Sequence, residues 1–128
     1  MTSILVVDDD PLVGLALKVR LESLGYVVSL ARNCAEAESS LNDCWPELLL
    51  TDINMPGCDG IELARRVRAH DRGRQLPVVF ITASMDPQLR TRVREAGAVG
   101  FLGKPYTAQE LADMVSGALA TRTGSTSG

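Results

Sequence analysis

Apolar residues along the chain fall into five short clusters, separated by stretches in which they recur every three or four positions. That alternation predicts strands and helices in turn. The first cluster, Ile4 to Val7, ends abruptly at Asp8, Asp9 and Asp10, the mark of a buried strand emerging at a polar edge. Asp10 before Pro11 predicts an N-cap and first helical residue; Val13, Leu17, Leu21 and Leu24 recur at helical spacing, and Gly25 supplies the left-handed stop, so a helix covers about 11 to 24. Tyr26 to Ala31 reads as a second strand, Asn33 with Glu36 as a capping box opening a second helix, and Leu48 to Thr51 as a third strand ending at Asp52. Beyond the loop at 55–60, Ile61, Ala64 and Val67 give the inner stripe of a third helix, closed by the polar segment Asp71 to Gln75. Val78 to Thr82 is a fourth strand. Asp86 and Pro87 repeat the cap-plus-proline signal, Leu89, Val93 and Ala96 form a helical stripe, and Gly97 ends it. Val99 to Leu102 is a short fifth strand, and Thr107 with Glu110 caps a closing helix whose inner face is Leu111, Met114, Val115, Ala118 and Leu119. Each crossover helix has to bury its stripe against the sheet, so five strands alternating with five helices imply a doubly wound α/β fold around a parallel sheet.

Composition narrows the class. A chain of 128 residues fits one domain, here 1–120, and the tail 121–128, Thr, Ser and Gly apart from Arg122, reads as a flexible end or linker. Aromatics at 4% against 45% hydrophobic residues predict an aliphatic core, which suits buried parallel strands. A net charge of −3, with arginines spread over several helices, gives no electrostatic footprint for nucleic acid or an anionic membrane. No long apolar stretch or signal pattern is present, so a cytoplasmic location is expected. Cys34, Cys44 and Cys58 are odd in number and lack a CxxC or Cys/His grouping, which points to free thiols rather than a disulfide framework or zinc site.

The chemistry lies at the strand ends. In a doubly wound sheet, ligands bind beyond the carboxyl ends of the strands, where the connections change direction. Asp8 and Asp9 follow the first strand, Asp52 ends the third, Thr82 ends the fourth and Lys104 lies just beyond the fifth. With eleven Arg and only two Lys in the chain, a Lys before Pro105 at a strand end is a specific signal. Three carboxylates in one crevice repel by about 4 kcal/mol per pair at ~4 Å and an effective dielectric of ~20. A Mg²⁺ ion (or Mn²⁺) suits such an all-oxygen site, with Lys104 contributing charge from the other side. Without metal, one carboxyl is expected to have a raised pKa because of its charged neighbours.

The strand-end DDD, the segment DINMPGCDG with Asp52, ITAS with Thr82 and FLGKPY with Lys104 together resemble response-regulator receiver domains in order and spacing, over about residues 3 to 120. The resemblance implies a five-stranded parallel sheet of order 2-1-3-4-5 in a flavodoxin-like (βα)5 fold. It also implies that Asp52 accepts a phosphoryl group from a histidine kinase, a histidine phosphotransfer protein or a small donor. Asp9 would bind Mg²⁺ directly, Asp8 largely through water, and the Asn54 carbonyl would complete the set. Thr82 and Lys104 would hold phosphoryl oxygens, and Phe101 would be the switch aromatic that turns inward as Thr82 moves, reshaping the surface of the fourth helix, fifth strand and fifth helix. By the same resemblance, Asn54 and Ser84 occupy positions that tune phosphoryl lifetime in the family, and the Lys104–Pro105 peptide is expected to be cis. A homodimer through the reshaped surface and an effector, fused or separate, are further expectations.

Two other functions compete. A metal-dependent phosphohydrolase with an Asp nucleophile shares the acidic residues, but Asp52 is followed by Ile53 and Asn54 rather than by a DxDxT pattern. An FMN binder needs a neutral phosphate cradle after the first strand, where Asp8 to Asp10 would repel the phosphate. Of the remaining residues, Asp10 reads as a cap, His70 as a solvated helix end, and Arg90, Arg92 and Arg94 as a solvated face. Leu12, Leu15 and Val19 form a second apolar stripe on the first helix, expected in the core first and as a docking face for a kinase's helical bundle second.

Overall fold

The computed structural model describes residues 2–83 and 86–127, with side chains described as far as Ala120. The elements in chain order are β1 (Ser3–Val7), α1 (Pro11–Ser23), β2 (Val27–Ala31), α2 (Cys34–Asp43), β3 (Leu48–Asp52), α3 (Gly60–Arg68), a 3-10 turn (Asp71–Gly73), β4 (Val78–Thr82), α4 (Pro87–Glu95), β5 (Gly100–Gly103) and α5 (Ala108–Ser127). All strand pairs are parallel and the order is β2-β1-β3-β4-β5, the order the resemblance implied.

The period of two along β1 sends Leu5 and Val7 to one face of the sheet and Ile4 and Val6 to the other. One face packs Ala37 and Leu41 of α2, Ile61, Ala64 and Val67 of α3 and Val93 of α4. The opposite face packs Leu17 and Leu21 of α1 with Leu111 and Val115 of α5. β3 and β4 lie between these layers and every one of their residues is buried. Each fully buried Leu, Ile or Val contributes roughly 1.5–3 kcal/mol of transfer free energy.

Helix starts follow the predicted caps. Asp10 accepts from the N–H of Leu12 at 2.9 Å, Asn33 from Glu36 at 2.8 Å, and Asp86 from Gln88 at 2.9 Å. Thr107 and Glu110 cap each other's backbone at 3.0 and 3.1 Å. Gly25 and Gly97, just past the ends of α1 and α4, have φ of +97° and +79°, a conformation that favours glycine. The Lys104–Pro105 peptide is cis.

Three expectations change. The second stripe of α1 is exposed, Leu12 at 77%, Leu15 at 50% and Val19 at 61%, because α1 docks on the sheet through the face that carries Val13, Leu17 and Leu21. Cys34 and Cys58 are joined by a disulfide, with Cα atoms 6.1 Å apart, and only Cys44 is a free thiol. A separation of 24 residues hides this pair in the sequence. β2 and β3 flank β1, so the turns that follow them leave the same end of the sheet and lead to α2 and α3 on the same face. The helix α5 runs to Ser127, past the position where composition predicts a tail. A helix already anchored by packing propagates one hydrogen bond per residue, so weak helix formers do not end it at once.

Candidate functional site

The parallel register brings the strand-end residues together. Val7 pairs with Thr51, so Asp8, the next residue, emerges beside Asp52. Asp52 pairs with Ile81, one residue before Thr82, and Thr82 pairs with Gly103, one before Lys104. β1 and β3 are the neighbours between which the connections change direction, the place where such sheets bind ligands.

Carboxylate oxygens of Asp8, Asp9 and Asp52 lie within 4.8 Å of one another. Lys104 Nζ stands 3.7 Å from Asp52 Oδ2 and 3.9 Å from Asp8 Oδ2. Asp8 and Asp52 are buried and Asp9 is exposed. Burial raises the pKa of both buried carboxyls. At Asp8, the N–H of Asp10 opposes this and the charge of Asp52 adds to it; at Asp52, Lys104 and the backbone N–H groups of Asn54 and Ile53 oppose it. Two carboxyls rather than the one expected are raised, and desolvation rather than neighbouring charge is the larger cause.

Asp8 accepts the N–H of Asp10 through Oδ1 at 2.9 Å, while its buried Oδ2 has no hydrogen-bond partner. An orphaned buried carboxylate oxygen in an all-oxygen cluster fits a hard divalent cation such as Mg²⁺, which takes one or two carboxylates and keeps several waters. Asn54, in the loop after Asp52, is exposed beside this cluster, with its backbone N–H directed at Asp52. Ser84 lies outside the described residues.

Thr82 is buried at the end of β4 and Phe101 is half-buried on β5. The two line a cavity of about 10 Å³ with Leu89, Arg90 and Val93 of α4, too small for an aromatic ring unless its walls move. Phe101 therefore belongs to the α4 side and not to the carboxylate cluster. Asp10 serves as the cap of α1, and His70 rests edge-on against Trp45 at the opposite end of β3.

The model for the response regulator receiver domain matches residues 4–116, and the chain belongs to that family. It is 36% identical over 121 residues to the C4-dicarboxylate transport transcriptional regulatory protein DctD of Pseudomonas aeruginosa, covering 94% of this chain and 26% of that protein. Against the phosphate regulon regulator PhoB of the same organism it is 34% identical, covering 85% of this chain and 48% of PhoB. The chain thus spans half or less of the length of these two relatives. Among solved structures, a response regulator from Chloroflexus aurantiacus superposes with a TM-score of 0.88 at 37% identity, covering 93% of this chain and 98% of that one. The receiver domain of a sensor histidine kinase from Pseudomonas aeruginosa, solved with magnesium in its active-site cleft, superposes with a TM-score of 0.85 at 29% identity, covering 93% and 98%. A phosphohydrolase reading finds no support among these relatives. No helix among the described residues is long and apolar enough to cross a membrane.

Sequence reasoning missed three features. Tyr106 is half-buried near Asp8, and its phenol is pushed up first by burial and then by that carboxylate. The guanidinium of Arg90 lies 5.5 Å from the centre of the Phe101 ring, although Arg90 was read as part of a solvated face. The KPY sequence flags Tyr106 only weakly, and nothing in the chain links Arg90 to a ring eleven residues on. The third feature is the Cys34–Cys58 bond.

Proposed function

We propose that this chain is a phosphorylation switch in which Asp52 accepts a phosphoryl group from a phosphohistidine donor. The observation that carries the reading is the convergence of Asp8, Asp9 and Asp52 on one cluster with Lys104 Nζ within 4 Å of both buried carboxylates. An Asp52 carboxylate oxygen attacks phosphorus, the phosphorus–nitrogen bond breaks, and the imidazole leaves. A carboxylate is a modest nucleophile, so alignment and charge neutralisation supply the rate. Asp8, Asp9, Asp52 and the Asn54 carbonyl would hold Mg²⁺, which supplies positive charge against the phosphoryl oxygens. Lys104 and Thr82 take the remaining oxygens, and Asn54 influences how fast water later removes the group.

Movement of Thr82 toward the phosphoryl group opens space for Phe101, and the face formed by α4, β5 and α5 changes with it. The shift is limited by the difference in phosphoryl contacts between the two states. The exposed Leu12, Leu15 and Val19 supply an apolar helix face suited to the helical bundle of a histidine kinase or phosphotransfer protein. An effector, fused or separate, and a phosphorylation-dependent homodimer through the α4–β5–α5 face complete the reading.

Acetyl phosphate with Mg²⁺ should add about 80 Da to the chain in a single stoichiometric event. Chelation of the metal, or Asp52→Ala, should abolish the increment. Label persisting in Asp52→Ala would refute the assignment, and steady turnover of a small phosphate ester would favour the phosphohydrolase instead.

A further inference from the structure

We propose that Cys34 and Cys58 are a reversible oxidation site, a thiol–disulfide pair that ties together the two turns supporting Asp8 and Asp52 and so sets how firmly the acidic cluster holds a divalent cation. The effect on the cation rests on the metal assignment above; the bond itself does not.

Cys34 opens the helix that follows the turn after β2, and Cys58 lies in the loop after β3, so each borders a segment next to one of the two buried carboxylates. Cys34 is the first residue of α2, three residues after Ala31, whose carbonyl accepts the N–H of Asp8 at 3.0 Å. Cys58 lies in the loop that carries Asn54 and joins Asp52 to α3. That loop is drawn closed at its base by the N–H of Gly60 on the carbonyl of Ile53 at 2.9 Å, and Met55 anchors its middle in the core. A Cβ at Gly60 would run into the carbonyl of Asp52, so the start of α3 lies directly against the phosphoacceptor backbone. The disulfide therefore links the backbone behind Asp8 to the backbone behind Asp52 across a chain separation of 24 residues. Without it, the contact between these turns is non-covalent and the loop has more conformations to lose when the Asn54 carbonyl takes up a ligand.

Exposure gives the pair an entry point. Cys34 is buried at 4% exposure and Cys58 is half-buried, so a small reagent reaches Cys58 first. The Cα separation of 6.1 Å lies within the range that disulfides span without backbone movement. Oxidation by a low-molecular-weight disulfide proceeds in two exchanges. The Cys58 thiolate attacks one sulfur of the reagent, forming a mixed disulfide and expelling one small thiolate. The Cys34 thiolate then attacks the Cys58 sulfur, forming the internal bond and expelling the second. The protein thiols lose two protons and two electrons, and the reagent leaves as two thiols. A small dithiol reverses both steps.

The test uses the full chain carrying Cys44→Ser, which removes the exposed free thiol. After equilibration with oxidised glutathione, intact mass should fall by about 2 Da relative to the dithiol-treated chain, and a proteolytic fragment should hold Cys34 and Cys58 linked. Calorimetric titration of Mg²⁺ should then show the oxidised chain binding about threefold or more tightly than the reduced chain. The difference should vanish in Cys34→Ser and in Cys58→Ser. Failure of the linked fragment to form at any glutathione ratio, or equal Mg²⁺ affinity in the two states, would overturn the proposal. Absence of acetyl phosphate labelling at Asp52 in both states would count against the phosphoacceptor reading alone, because neither the mapped bond nor the calorimetry depends on phosphorylation.

Discussion

Replacing Asp8 by Asn should stabilise the metal-free protein at neutral pH, although it removes a residue of the functional site. Carboxylate oxygens within 4.8 Å of one another repel by about 3.5 kcal/mol or more per pair at an effective dielectric of ~20, and Asp8 faces two such partners, Asp9 and Asp52. Its attraction to Lys104 at 3.9 Å returns about 4 kcal/mol on the same scale. Removing one charge therefore relieves a net repulsion of about 2–3 kcal/mol, which solvent around exposed Asp9 and partly exposed Lys104 reduces to on the order of 1–2 kcal/mol. The sign of the pH dependence follows from the raised pKa. Native Asp8 holds its proton to higher pH than in the unfolded chain, so its favourable contribution is present below the ordinary carboxylate pKa and is lost as pH rises through the raised native value. Urea denaturation in chelator, followed by circular dichroism at about pH 5 and about pH 7.5, should show Asp8→Asn gaining on wild type as pH increases. Saturating Mg²⁺ should reverse the order, since it binds the native wild-type cluster and the variant lacks one carboxylate. Wild type equal to or more stable than Asp8→Asn in chelator at the higher pH would refute the charge-crowding argument.

Further outcomes follow from residues outside the cluster. Arg90→Ala removes a guanidinium 5.5 Å from the Phe101 ring, an exposed cation–π contact of about 0.5–1 kcal/mol, and should shift the balance between outward and inward Phe101 by about two- to fivefold. Fluorine NMR of fluorinated phenylalanine, with Phe101 assigned by substitution, reads this directly, and an unchanged balance would show that Arg90 does not restrain the ring. Arg68 donates to the carbonyls of Gly73 at 2.7 Å, Leu76 at 2.5 Å and Gly97 at 2.8 Å, tying α3 to the 3-10 turn and to the end of α4. Arg68→Ala should lower unfolding free energy by about 2–4 kcal/mol in denaturant titrations, and a loss below about 1 kcal/mol would mean that water replaces these bonds without penalty.

The identities of Asp8, Asp9, Asp52, Thr82 and Lys104 were legible because a strand buried on both faces must end in a polar residue, and the αβ alternation sets which ends face the same way. Caps were legible for a similar reason: Asp10, Asn33, Asp86 and Thr107 bond to backbone two or three residues away, within reach of a local pattern. The α1 faces were less so, since Val13, Leu17 and Leu21 and the stripe Leu12, Leu15 and Val19 have the same period, and only docking on the sheet selects one of them. The sheet order came from the family resemblance, not from periodicity.

What the chain could specify alone was everything set by neighbours within a helical turn or a strand: element type, caps, the acidic strand end and the position of the lysine. Distances between elements belong to the tertiary structure. Desolvation of Asp8 and Asp52 depends on how many layers cover them, the Cys34–Cys58 bond on two turns leaving the same end of the sheet, and the stacking of Arg90 on Phe101 on how α4 lies against β5. Hydrogen bonding and periodic burial act over a few residues, whereas dielectric surroundings and long-range contacts exist only once the sheet has assembled.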